Sequence, residues 1–152
     1  MHVMTKYLDT RAAAISALQD FSLMESLAEL PAEELAGQMR ADLTAPASPR
    51  LDGMPGGNDP KAGEARVCAT LDKIDFLGER RRQAREYLDW FLPAWAQLTD
   101  DERFVLETFF LSEGSQEEAI ATISDRFYVE RPTVYKRKNR ALQRLAKALY
   151  GV

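Results

Sequence analysis

The chain has 152 residues, 45% of them apolar, which suits one ordinary domain or two small helical modules with a sizeable core. Its 20 basic and 24 acidic residues leave a net charge of −4, yet all seven charges from Arg131 to Val152 are basic, so residues 1–130 carry −11. One His (His2) and one Cys (Cys68) furnish neither a nitrogen–sulfur zinc cage nor an internal disulfide, and a His-dependent nucleophile would have to rest on His2 near the start of the chain.

Helical periodicity dominates. In residues 5–30, Leu8, Ala12, Ile15, Leu18, Phe21 and Leu27 recur at three- and four-residue steps. Pro31 begins a second piece, Pro-Ala-Glu-Glu-Leu, either beyond a kink or as a new short helix ending near Leu43; Pro and paired acids suit a first helical turn. Residues 44–63 hold four of the seven prolines and four of the eight glycines, which predicts a linker that propagates no helix or ladder. Residues 64–97 read as a long helix. Val67, Leu71, Ile74, Leu77, Ala84, Leu88, Phe91 and Trp95 form its apolar stripe, and Pro93 is expected to kink or end it. The charged run Glu79–Glu86 reads as a solvated face with pairs such as Arg82–Glu86. Cys68 reads as a small buried hydrophobe. The segments 1–43 and 64–97 cannot each bury a stripe alone, so they pack as an antiparallel hairpin or in trans in a homodimer.

Residues 98–152 read as three shorter helices. Thr99-Asp100-Asp101-Glu102 and Ser115-Gln116-Glu117-Glu118 are two capping boxes. The first introduces Phe104, Val105, Leu106, Phe109 and Phe110, a helix that Gly114 should stop. The second introduces Ala119, Ile120, Ile123 and Phe127. After a turn at 128–131, Pro132 starts a third helix ending at Gly151, with Val134, Ala141, Leu145 and Leu149 inward and Leu142 and Ala148 beside them. Tyr87, Trp90, Phe91, Trp95, Phe104, Phe109 and Phe110 are expected in the core. No segment alternates with period two. The fold class expected is all-α: a long N-terminal helical hairpin followed by a three-helix module.

A helix, a short turn and a helix with a basic outer face make a helix-turn-helix, whose second helix enters the major groove of double-stranded DNA. Thr133, Lys136, Arg137 and Arg140 share one stripe and are candidate base-reading residues. Tyr135 either joins them or packs on the turn. Arg131, Lys138, Arg144 and Lys147 flank the stripe as candidate phosphate contacts. The sequence contains no GxxxxGK[ST] loop, no GxGxxG fingerprint and no apolar run of the ~18 residues a membrane span needs. Acids such as Asp72, Asp75, Asp100 and Asp101 have the spacing of caps and surface. No catalytic residue, metal site or cofactor is expected, so the chain reads as a binding protein and not an enzyme. The N-terminal residues lack a signal-peptide pattern, and a lone Cys fits a cytoplasmic location.

The run Val129-Glu130-Arg131-Pro132-Thr133-Val134-Tyr135-Lys136-Arg137, with Arg140-Ala141-Leu142, resembles the DNA-binding helix of sigma factor region 4. It is closer still to phage-encoded, sigma-like transcription regulators of the ArpU/RinA type. Leu51-Asp52-Gly53-Met54-Pro55 is similar to a loop of small phage and mobile-element proteins with such an end. The resemblance implies a sequence-specific transcription regulator in a bacterial host cell, in contact with RNA polymerase. It departs in two places. Tyr128 stands where sigma region 4 usually has Gly, which leads us to expect a looser turn. Arg137 stands where an apolar residue is common, and is expected to face DNA. Two other functions compete: a DNA-packaging recognition subunit like phage small terminases, and a module that docks on RNA polymerase without touching DNA.

Overall fold

A computed structural model describes residues 7–44 and 60–151. Among them every regular element is helical: α1 (Thr10–Glu29), α2 (Ala32–Thr44), α3 (Pro60–Ala96), α4 (Asp100–Leu106) running into a π-helical turn (Glu107–Leu111), α5 (Gln116–Phe127) and α6 (Arg131–Tyr150). The expected all-α class is what the chain adopts. Most of the expected linker, and the loop at 51–55, lie outside the described residues, while Pro60–Gly63 already belong to α3. The chain divides into two compact units, residues 26–84 and residues 1–25 with 85–152.

In the unit of residues 26–84, burial is sparse. Ala32 and Ala36 of α2 and Ile74 and Ala84 of α3 are its buried apolar residues. Val67 and Leu71, expected inward, are exposed, and so is Cys68, contrary to the expected burial. The cause is local: residues 61–69 are exposed all round, so a three-four spacing there finds nothing to pack against. Within the charged run, Arg82 Nη2 pairs with Glu79 Oε1 at 2.6 Å, one helical turn back.

The other unit is built around Phe91. Asp9 Oδ1 accepts the Ala12 amide at the start of α1, which then buries Ala14, Ala17 and Leu18. Leu8 and Ala12, expected on this face, are exposed. Ala14, Ala17 and the expected Leu18 form the contact, and the larger Leu8 lies outside it. Phe91 is fully buried, with ring centroids of Phe21, Tyr87 and Trp95 at 5.2, 5.3 and 5.8 Å. Tyr87 donates its hydroxyl to the Ala17 carbonyl, tying α3 to α1. Burial pushes the ionisation of that phenol well above its usual range, with Asp20 adding to the shift. The helix α3 runs through Pro93 to Ala96 instead of ending at the proline. Leu98, Leu106, Ala141, Leu142, Leu145, Ala146 and Leu149 complete this core. A second cluster, Val105, Ile120, Ile123 and Val134, joins α4, α5 and α6.

Both capping boxes form. Thr99 and Ser115 accept the amides of Glu102 and Glu118, and each Glu reaches back to the cap amide at 2.9 Å. Gly114 does not stop the preceding helix, which widens into the π-helical turn and ends at Leu111. Its lack of a side chain serves the next cap, since a Cβ there would lie 2.7 Å from Glu118 Oε2. Helix α6 starts at Arg131, one residue before Pro132, and ends on Gly151 at φ 72°.

Tyr128 corrects the expectation of a looser turn. Its φ of 52° and ψ of 48° are the left-handed conformation that glycine takes freely. The Tyr128 and Val129 amides both return to the Ser124 carbonyl, closing the end of α5 tightly. A side chain in this region costs about 1–2 kcal/mol, and Tyr128 is 94% exposed, so packing recovers little. Gly lowers that strain but adds about 0.4–1 kcal/mol of unfolded-state entropy to overcome. Tyr128→Gly is therefore expected to raise stability by about 0.5–1 kcal/mol, read as a higher urea midpoint at unchanged slope. A lower midpoint would mean the turn is unstrained.

Candidate nucleic-acid interface

Helix α6 carries all seven basic residues of the C-terminal segment and no acid. Its buried side is Val134, Ala141, Leu142, Leu145, Ala146 and Leu149; Leu142, expected beside the stripe, is part of it, and Ala146 joins it unexpected. The opposite side forms an exposed ridge of Pro132, Lys136, Asn139, Arg140, Gln143 and Lys147. The three- and four-residue spacing places these residues in line, where long cationic side chains can span a nucleic-acid groove.

The seven cations divide by what they touch. Arg131 donates to both carboxylate oxygens of Glu117 at 2.7 and 2.9 Å, across from α6 to α5. That contact strengthens its hold on the proton. Arg144 Nη1 donates to Glu102 at 3.1 and 3.2 Å. Partial burial by itself would raise the Glu102 pKa, but the Thr99 amide and Arg144 outweigh it and hold this carboxyl below its ordinary value. Arg137 is half-buried, its guanidinium 4.6 Å from the Phe127 ring centroid. Lys138 is also half-buried, with its ammonium near the rings of Phe109 and Tyr135 at 4.8 and 5.2 Å. Lys136, Arg140 and Lys147 are exposed, and no ion pair engages them among the described residues.

Thr133, Lys136, Arg137 and Arg140 therefore come together, on one wall of a cleft of about 330 Å³ whose other wall is Thr99, Asp101, Glu102 and Val105. Lys147 continues their line along the ridge. Tyr135 and Lys138 do not join them. Tyr135 packs against the second core cluster, and its hydroxyl accepts from Gln116 at 3.4 Å and from Arg131 at 3.5 Å. Arg131, in the first turn of α6, and Arg144, farther along it, lie off the ridge with their carboxylate partners.

The structure adds residues that sequence reasoning missed. Arg11 Nη2 donates to Asn139 Oδ1 at 2.6 Å. With Thr10, Asn139, Gln143 and Ala146, Arg11 lines a second cleft of about 330 Å³ beside the ridge. Arg11 is 128 residues from Asn139, and nothing local in MHVMTKYLDTR announces the contact. Asn139 and Gln143 were legible in principle, since they share the spacing of Lys136 and Arg140, but a search for charge passes over them.

Among the described residues no group of His, Cys, Asp or Glu is placed to hold a metal ion, and no helix is long and apolar enough to cross a membrane. No family model, curated protein or solved structure matches this chain.

Proposed function

We propose that this chain binds double-stranded DNA, laying the exposed ridge of α6 in the major groove, and that it acts as a sequence-specific transcription regulator of the phage type. The observation that carries the reading is the charge layout of α6. Its apolar face is fully used in the core, while Lys136, Arg140 and Lys147 stand in line on the outside with no acid engaged. A row of unpaired cations on a rigid helix is stabilised by a polyanion that spans the same length. The helix α5, its tight turn at Tyr128 and α6 supply the helix–turn–helix order such readers use. The remaining −11 over residues 1–130 discourages adhesion of the rest of the surface to DNA.

The regulatory role and the contact with RNA polymerase follow from the resemblance of Val129–Leu142 to sigma factor region 4. A second copy of the chain pairing through the N-terminal helices is part of the same proposal, supported by Val67 and Leu71, which lie exposed one turn apart on α3.

The testing experiment is binding of the full chain to a random-sequence duplex over a range of salt. Three exposed cations, with Arg137 or a flanking Arg joining them, predict a slope of log K against log salt of roughly −2.7 to −3.6, from about −0.9 per phosphate contact. Absence of binding at low salt, or a flat dependence, removes the DNA reading and leaves the protein-docking alternative.

A further inference from the structure

We infer that the DNA-facing surface is composite and asymmetric: Arg11, in the first turn of α1, extends it on one side of the α6 ridge as a phosphate contact, while Asp101 of α4 repels phosphate on the other. This rests on the proposed DNA reading and adds which edge of the ridge the backbone follows.

The two edges differ chemically. On one side, Arg11 reaches Asn139 at 2.6 Å and shares a cleft with Gln143. Its charge stands there with amides and a hydroxyl around it, and no ion pair to a carboxylate engages it among the described residues. The Asn139 carboxamide fixes the guanidinium against the ridge and leaves its other N–H groups to donate outward. On the other side, the cleft along Lys136, Arg137 and Arg140 is walled by Asp101 and Glu102, with the Arg137 guanidinium drawn over the Phe127 ring. Glu102 is occupied by the Thr99 amide and Arg144. Asp101 is exposed, with no such partner among the described residues.

A duplex seated on the ridge meets phosphates on both margins of the groove. A phosphate on the Arg11 side gains a charge-assisted, geometrically defined contact. One on the Asp101 side meets a like charge, whose repulsion is weakest at high salt and largest at low salt. The strand on the α1 side is therefore held more tightly. Because α1 is locked to the same unit through Ala14, Leu18 and the Tyr87–Ala17 hydrogen bond, Arg11 is presented rigidly and not on a loose arm.

The test compares Arg11→Ala, Asp101→Asn and the control Asp89→Asn, an exposed acid of α3 outside both clefts, in the full chain. Binding to a random-sequence 20-bp duplex is measured across salt, with thermal melting to check folding. Arg11→Ala is expected to weaken binding about three- to tenfold at low salt and to reduce the salt slope by about one. Asp101→Asn is expected to strengthen it about two- to fivefold, and Asp89→Asn to stay within about twofold. Opposite signs at Arg11 and Asp101 support the asymmetry. Wild-type binding with an unchanged Arg11→Ala variant, or equal gains from Asp101→Asn and Asp89→Asn, overturns it while the DNA reading stands. No binding by the wild type at low salt removes both.

Discussion

Phe91→Ala is expected to destabilise the unit of residues 1–25 and 85–152 by about 3–5 kcal/mol, the range for emptying a buried phenylalanine site. Phe91 has no exposed surface and carries ring contacts to Phe21 on α1 and to Tyr87 and Trp95 on its own helix. Its cluster extends to Leu142, Leu145 and Leu149 on α6. The core loses a filler that α1 and α3 share, and the stiff rings around the site leave few side chains free to collapse into the void. Since single domains are typically stable by about 5–15 kcal/mol, this change should leave the unit marginal at ambient temperature. Phe76→Ala is the comparison: that ring is 58% exposed on α3, under the Arg80 guanidinium at 5.0 Å. It should cost no more than about 0.5–1 kcal/mol. Urea titrations of both variants, followed by near-UV circular dichroism, read the difference. Equal losses would mean that Phe91 is not the keystone of its core.

How far the sequence discloses the structure depends on where the information is local. The capping boxes at Thr99 and Ser115, Gly151 at the end of α6 and the buried Val134, Ala141 and Leu145 follow from residues within one or two turns of each other. The errors fall where the deciding partner is distant or missing. Val67, Leu71 and Cys68 carry the right spacing for burial and lie exposed, because periodicity states which face is apolar and not whether anything covers it. In α1 the expected Leu18 is buried, but Ala14 and Ala17 are buried with it, although hydropathy ranks them below the exposed Leu8. Tyr128 breaks the preference for glycine in a left-handed position, a local rule overridden by the cap that closes α5.

The candidate interface divides in the same way. Lys136 and Arg140 are legible from composition and helical spacing. What happens to the other cations is not: whether Arg131 and Arg144 meet Glu117 and Glu102, and whether Arg137 and Lys138 fold back over rings, depends on helices α4 and α5. A count of seven positive charges therefore overstates what a partner can use. Arg131 and Arg144 must trade a carboxylate for a phosphate, which exchanges one ion pair for another and yields little net gain. Lys136, Arg140 and Lys147 have no such trade to make.

That distinction fixes the second large expected effect, on Lys136 and Arg140 together. Both project from the first half of α6, four residues apart on the exposed ridge, where a groove-bound helix meets base edges and where cationic donors pair with guanine O6 and N7. A preferred duplex is first enriched from a randomised pool with the wild-type chain. Against it, Lys136→Ala or Arg140→Ala alone should cost about 1–3 kcal/mol, and the double variant about 2–5 kcal/mol, with the preference over scrambled duplex falling in step. Arg144→Ala should behave differently. Its loss is expected to weaken preferred and scrambled duplexes alike and to reduce the salt slope by no more than about one, and the freed Glu102 carboxylate adds repulsion that has no sequence content. Competition binding of each variant to both duplexes at several salt concentrations separates the two patterns. If the double variant keeps the wild-type ratio of preferred to scrambled affinity, α6 holds the backbone and reads no bases, and specificity must come from another element.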